Sequence, residues 1–346
     1  MRLNHLRARR GAAALALVLL PACRSIPEID GAPVNELSPA ALLEAAERAF
    51  EEERADDAIA AAEWYLTHHF DQPDVERARW VAAEARFGRG ELAEAFNQYR
   101  RILDENRFTE RTEVIGDRAW EIGKTLAREK AEFFDDFGAD RDVGIEALNL
   151  IVTRYPKDDR ADDAWKELAA AFAADGAWAA AADIYERLAR EYPGSEWRDL
   201  ALFRVAEAYA RQSRGGSFDV DPLFQADAAL ARYLAVYPDG NFVAEAEEER
   251  LRLQNEITRH ELEVAEHYRQ RGDPSGERLH LTNAATRFPD TRAAAEARER
   301  MAARGVDPGP DSNDLLRPRS ERPPWRQGPA PAGAGAARSA GIPAAG

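Results

Sequence analysis

The chain has 346 residues, 45% of them hydrophobic and 32% charged, with one cysteine and a formal net charge of −16. That length suits one large domain or two small ones, and a lone cysteine excludes both a disulfide framework and a multi-cysteine zinc module. Four of the 47 Lys and Arg residues lie in the first 22 positions, so the remainder carries 43 basic against 63 acidic residues, a net charge of −20. A body that acidic is a poor binder of nucleic acid or of bare anionic lipid surfaces.

In chain order, the first element is an address. Arg2 to Arg10 forms a cationic stretch, Gly11 to Leu20 a ten-residue apolar run, and Leu20-Pro21-Ala22-Cys23 closes it, the pattern of a secretory signal over residues 1–22. The only cysteine, directly after a small residue at the end of that run, resembles the bacterial lipobox, which implies a lipid-bearing Cys23. An ordinary signal followed by a chance cysteine is the alternative, and Pro21 is the residue that favours it. In lipoproteins of that kind Asp after the cysteine retains the protein in the inner membrane. Arg24 stands there instead, which implies the outer membrane, lipid-anchored and facing the periplasm.

Residues 23–37 carry Pro27, Gly31 and Pro33 without periodicity, and are expected to form a flexible tether. From Ser38 to Arg304 apolar residues recur at three and four, Ala, Leu, Glu and Arg dominate, and no segment alternates as a strand does. This predicts an all-α repeat domain over 38–304, with a single long helix within Phe242 to Arg271. From residue 305 to 346 the composition shifts to Pro, Gly, Ala and Arg, which predicts a disordered tail. Its Arg317 to Arg326 portion, around Trp325, reads as a spacer or a short docking segment.

Within the helical body a unit repeats. An aromatic-proline pair recurs at Tyr155-Pro156, Tyr192-Pro193, Tyr237-Pro238 and Phe288-Pro289, and the eighth residue after each proline is Ala164, Ala201, Ala246 and Ala297. A helix must stop at such a proline, and a small residue in the next one permits close packing. The sharpest unit has Trp165, Leu168, Ala169 and Phe172 on a first helix, Gly176 in a turn, Ala181, Tyr185 and Leu188 on a second, and Pro193 at the exit. That arrangement resembles a tetratricopeptide (TPR) unit. Ala83, Gly90, Ala95 and Tyr99 repeat the spacing, and so does Ala46 with Ala58, although Glu53 stands where a turn glycine is common. The prediction is a TPR-like α-solenoid of about five helix-turn-helix repeats, coiled as a right-handed superhelix.

The Tyr-Pro exits, the lipobox and above all the stretch from Tyr237 to Met301 resemble the BamD (YfiO/ComL) family of outer-membrane assembly lipoproteins. Its His-Glu-Leu segment corresponds here to His260, Glu261, Leu262, Val264, Ala265, Tyr268, Arg271 and Gly272. The resemblance implies a scaffold that docks to a BamA-type barrel insertase beside other assembly lipoproteins. It also implies receipt of unfolded outer-membrane proteins and membrane attachment through the N-terminal lipid. The Asp273-Pro274-Ser275-Gly276 turn and the polar insertion after Ser213 depart from that family's pattern.

TPR first helices line a concave groove. Counting three before, one after and four after the small alanine of each first helix gives Leu43, Glu47 and Phe50, then Trp80, Glu84 and Phe87, and around Ala169 gives Lys166, Ala170 and Ala173. The aromatic payload therefore falls in the N-terminal units, as an apolar pocket for an extended peptide walled by Glu47 and Glu84. The alternative is that those rings pack between neighbouring helices. No catalytic motif, cofactor motif or metal site is found. His260, Glu263 and His267 share one helical face, but i to i+7 spans about 10.5 Å, too far for two imidazoles on one ion. The competing functions are a TPR adaptor of the Tol-Pal or cell-division type and a wall-acting lipoprotein enzyme.

Overall fold

The computed structural model describes residues 26–128, 137–213 and 219–305, with the side chains of 137–139 left aside. The signal expected over 1–22, the lipid site expected at Cys23 and, apart from its first residue, the tail expected over 305–346 lie outside the described residues. Among those residues the chain forms a two-stranded antiparallel hairpin, β1 (Glu28–Ile29) and β2 (Ala32–Pro33), followed by thirteen α-helices. It divides into two compact units at Ile115–Gly116.

The N-terminal unit begins with the hairpin and a 3-10 turn at Val34–Glu36, then α1 (Pro39–Glu51), α2 (Ala55–His68), α3 (Val75–Arg89) and α4 (Leu92–Glu105). Ser38 starts α1 because its Oγ accepts from the Ala41 amide at 3.3 Å while Pro39 occupies the first turn. Consecutive helices pack against one another, and α1 also touches α3, the arrangement that places first helices side by side. Alanines make this possible: Ala46, Ala58, Ala62, Ala78 and Ala82 are fully buried and let the helices approach closely.

The hairpin differs from the tether expected over 23–37. Ile29 and Val34 are each 1% exposed and belong to the same apolar cluster as α1, α2 and α3. Asp30 ties the turn down, pairing with Arg48 at 3.2 Å and Arg54 at 2.7 Å, and those two guanidiniums hold its carboxyl below the usual range. Ile29 and Val34 hold this segment on the helices through the apolar cluster they share with α1, α2 and α3.

The second unit takes up within α5 (Thr112–Leu126) and continues through α6 (Phe137–Arg154), α7 (Ala161–Ala174), α8 (Trp178–Glu191), α9 (Arg198–Ser213), α10 (Asp221–Val236), α11 (Val243–Gln270), α12 (Pro274–Thr286) and α13 (Arg292–Ala303). From α6 onward each helix packs on the next. Among the described residues the chain is thus all-α, with TPR-like helix pairs within each unit, and the α11–α13 cluster closes the second.

The repeat read from the sequence has its physical meaning here. Ala164, Ala201, Ala246 and Ala297 are each 0% exposed, inside the helix stack. The aromatic of the exit turn ties one unit to the last, as when the Tyr192 hydroxyl donates to the Pro156 carbonyl at 3.0 Å. Turn glycines Gly90, Gly176 and Gly272 all have positive φ, between 70° and 80°. In the first unit Glu53 takes the same left-handed conformation at φ 59°, where only a side-chain penalty distinguishes it from them. The expected long helix is α11, 28 residues, whose first part packs on α10 and whose remainder packs on α12 and α13.

Candidate functional site

The N-terminal groove residues come from the facing sides of α1 and α3. Leu43 does not join them: it is 1% exposed, inside the cluster that includes Ile29 and Val34. The offset rule failed there because the folded hairpin supplies this first repeat with packing partners that the rule does not count. Glu47, Phe50, Trp80, Glu84 and Phe87 are all half-buried.

Glu47 accepts two hydrogen bonds from the Arg77 guanidinium, at 3.1 and 2.8 Å, joining α1 to α3. Phe50 packs on the apolar cluster. Trp80 lies 5.9 Å from the Tyr99 ring and carries the Arg111 guanidinium 4.9 Å above it, while the Tyr99 hydroxyl donates to Glu84. Much of the Trp80 ring is therefore committed to packing between helices, which is what the alternative reading of these aromatics anticipated. What remains is a strip of half-buried side chains along α1 and α3.

The second unit contains a longer feature. Lys166, Ala170 and Ala173, the three positions given by the offsets around Ala169, line a cleft of about 440 Å³ together with Trp178, Tyr185 and Trp197. Lys166 sits 4.1 Å from the Trp197 ring and 2.8 Å from Glu167, and the Trp197 indole donates to Asp163 at 2.6 Å. Trp178 opens α8 and Trp197 sits in the turn before α9, so neither occupies a first-helix position and no offset could reach them. Only their type was a signal, since large amphipathic rings favour binding surfaces.

Through Arg204 and Glu207 this cleft adjoins a second, lined by Phe203, Arg211, Glu248 and Arg252. Arg252 leads into a third, with Asn255, Arg259, His260 and Glu263, and Arg259 and Glu263 into a fourth, bounded by Arg269 and Arg300. The result is one trough along α7, α9 and α11, aromatic at its α7 end and zwitterionic beyond. Many of its charges are internally paired: Arg252 with Glu249 and Glu256, Arg204 with Glu207, Arg269 with Glu266. Hydrogen bonding from Arg269 holds the Glu266 carboxyl down at about 2, so it is ionised throughout the physiological range.

His260 and Glu263 therefore belong to a wall of this trough, and His267 lies edge-on to Tyr268. Among the described residues no group of three or more His, Cys, Asp or Glu is placed to hold a metal ion. The His-Glu-Leu segment is a packing device. Leu262 and Ala265 are buried against Leu281, Ala284 and Ala297. Glu261 lies 2.7 Å from His280 Nδ1, and the His280 ring stacks on Tyr268 at 5.2 Å. Tyr268 in turn covers Gly276, where a Cβ would come within 2.3 Å of the ring. The unusual Asp273-Pro274-Ser275-Gly276 turn starts α12, with Asp273 accepting from the Ser275 and Gly276 amides at 3.0 Å.

Residues 139–306 match the family model YfiO, described as an outer membrane lipoprotein. The match covers nearly all of α6 through α13, including the trough, and bears out the resemblance read from Tyr237 to Met301. The helices of the N-terminal unit fall before it. No curated protein sequence matches the chain. Among solved structures, the C-terminal part of a TPR repeat-containing protein from Cytophaga hutchinsonii is similar at 15% identity, covering 76% of this chain and 91% of that one, with a TM-score of 0.29. The apo form of RapI is similar at 13% identity, covering 79% and 68%, with a TM-score of 0.28.

Proposed function

We propose, from the outer membrane lipoprotein match over residues 139–306, that this chain is a lipid-anchored periplasmic scaffold of outer-membrane β-barrel assembly. In this reading Cys23 carries the lipid, a BamA-type insertase and other assembly lipoproteins are the docking partners, and unfolded outer-membrane proteins are the cargo. The single observation that carries it is the coincidence of the matched span with the trough-bearing helices α7 to α11. A trough with an aromatic end and internally neutralised charge suits extended polypeptide, which offers rings and backbone amides rather than a net charge. Catalysis has no part in the proposal; the matched family is one of scaffolds.

The first test is a mild-detergent pull-down of the mature protein carrying a C-terminal tag, with mass spectrometry of the eluate. A BamA-type barrel recovered in near-stoichiometric amount is the expected result. Recovery of cell-wall or division proteins without any barrel would overturn the assembly role in favour of an adaptor of another kind. Cargo sites are then separated by substitution. Trp178→Ala with Trp197→Ala tests the trough, and Trp80→Ala with Phe87→Ala tests the N-terminal strip. Lost binding of an aromatic-ended peptide, with helix content and melting unchanged, marks the cargo site, whereas unchanged binding removes that site from the proposal.

A further inference from the structure

Two phenylalanines of the N-terminal unit stand in water. Phe70 is 71% exposed and Phe108 is 94% exposed. Single exposed apolar residues scattered over a surface need no explanation, but these two occupy corresponding places. Phe70 lies in the turn from α2 to α3 and Phe108 in the turn from α4 to α5. Because α1 to α4 pack consecutively and antiparallel, both turns fall on the same edge of the unit.

The turns hold the rings out by construction. The Phe108 amide donates to Asn106 Oδ1 at 3.1 Å. Asn106 Nδ2 and Thr109 Oγ1 donate to the Glu76 carboxylate at 2.8 and 2.6 Å, which fixes this turn to the first turn of α3. That first turn directly follows the segment bearing Phe70, itself closed by the Gln72 amide donating to the His69 carbonyl at 3.1 Å. Two neighbouring turns are thus braced together, each with a phenylalanine at its tip.

The folded hairpin of the same unit supplies the second observation. It begins at Glu28, so only residues 24–27 separate it from Cys23. At no more than about 3.6 Å per residue, a lipid on Cys23 holds the start of the hairpin within about 18 Å of the bilayer surface, where a free chain up to residue 37 would allow about 50 Å. Asp30 pins the hairpin turn to Arg48 and Arg54 at the other edge of this unit, but α1, 13 residues and about 20 Å long, is short enough for the lipid connection to leave either edge within reach of the bilayer.

We propose that the edge of the N-terminal unit carrying Phe70 and Phe108 rests in the interfacial zone of the membrane to which the lipid attaches it. This rests on the reading of Cys23 as lipid-bearing. Aromatic rings at the headgroup level are favourable, and tethering raises their effective concentration so that two suffice. Each ring sits alone at a turn tip, flanked by charges of both signs such as Asp71, Arg107 and Glu110, without the contiguous apolar core that a protein interface requires. The body is acidic, so the contact is apolar and does not need anionic lipid.

The test uses the mature acylated protein in vesicles of phosphatidylcholine and phosphatidylethanolamine. Nitroxide labels go on Phe70→Cys, on Phe108→Cys and, as a control, on Glu51→Cys at the opposite end of α1. Acylation occupies the sulfur of the only native cysteine, so each introduced thiol is the sole labelling site. Labels at 70 and 108 should be accessible to oxygen dissolved in lipid and shielded from a water-soluble nickel chelate, with the reverse at 51. If the protein floats with the vesicles yet both labels remain aqueous, the membrane contact is overturned while the anchor stands. Shielding from both probes means that protein covers the rings, which also overturns it. A protein that does not float, and whose Cys23 lacks acyl chains by mass spectrometry, removes the anchor and the contact with it. The double variant Phe70→Ser, Phe108→Ser should keep its helix content and melting, since neither ring supports the core.

Discussion

Glu167 shows how much one charged residue can carry in an alanine-rich helix stack. It is 6% exposed on α7, accepts from Arg128 Nε at 2.9 Å and lies 2.8 Å from Lys166. Burial pushes its carboxyl up, but the hydrogen bonds from Arg128 and Lys166 outweigh burial and hold it below the ordinary value of 4.5. A carboxyl lowered on folding contributes stability above its unfolded value, and that contribution is lost as pH falls through the folded one. Glu167→Gln should therefore cost about 1–2 kcal/mol at pH 7, the exposure of Arg128 keeping it below the cost for a fully buried pair. The same variant should lose less than the parent between pH 5 and pH 3, as urea titrations at those values would read. Glu53 makes the opposite case. It holds a turn conformation that glycine holds at three equivalent places, and Glu53→Gly should raise the urea-derived stability by about 1 kcal/mol.

Among the elements, the close approaches are decided by backbone rather than by side chains. At Gly144 in α6 a Cβ would meet the Ala127 amide nitrogen at 2.4 Å, and backbone cannot move aside. Gly144→Ala should thus cost about 1–3 kcal/mol in chemical denaturation, even though alanine is worth about 1 kcal/mol more than glycine in a helix. Gly88, on the open side of α3, has nothing within 4 Å of the equivalent position, so Gly88→Ala should stabilise by about 0.5–1 kcal/mol. The two substitutions are chemically identical, and a shared sign in thermal melts would refute this account of the α5–α6 contact. The all-α repeat body and its long helix were legible because a 3.6-residue period and the aromatic-proline exits are local signals. The hairpin was not, since Ile29 and Val34 become core only when α1 and α2 lie beneath them.

On the scale of the whole molecule, the chain joins a strongly acidic body to an N-terminal segment of opposite charge. On the proposed lipidation, Cys23→Ser should release the protein from membranes in a flotation assay while its melting temperature stays within about 1 °C of the parent, because the core begins only at Ile29. Continued flotation of the variant would show that something other than the lipid holds the protein there. The consecutive clefts of the second unit belong to this scale too. Each draws its walls from two or three helices, so the trough exists only once α7, α9 and α11 are assembled.

The sequence by itself determined the all-α body, its repeat, the buried alanines of that repeat and the family resemblance over the C-terminal span, all of which rest on short-range spacing. Tertiary structure decided which faces remained open. Leu43 met the same spacing rule as Glu47 and Phe50, yet it is buried, because the hairpin and neighbouring helices surround it. Trp178 and Trp197, 19 positions apart and outside any helical period, converge on Lys166 because α7, α8 and α9 pack together. Periodicity specifies which side of a helix is apolar; what comes to cover that side depends on residues distant in the chain, and only the packed molecule brings them there.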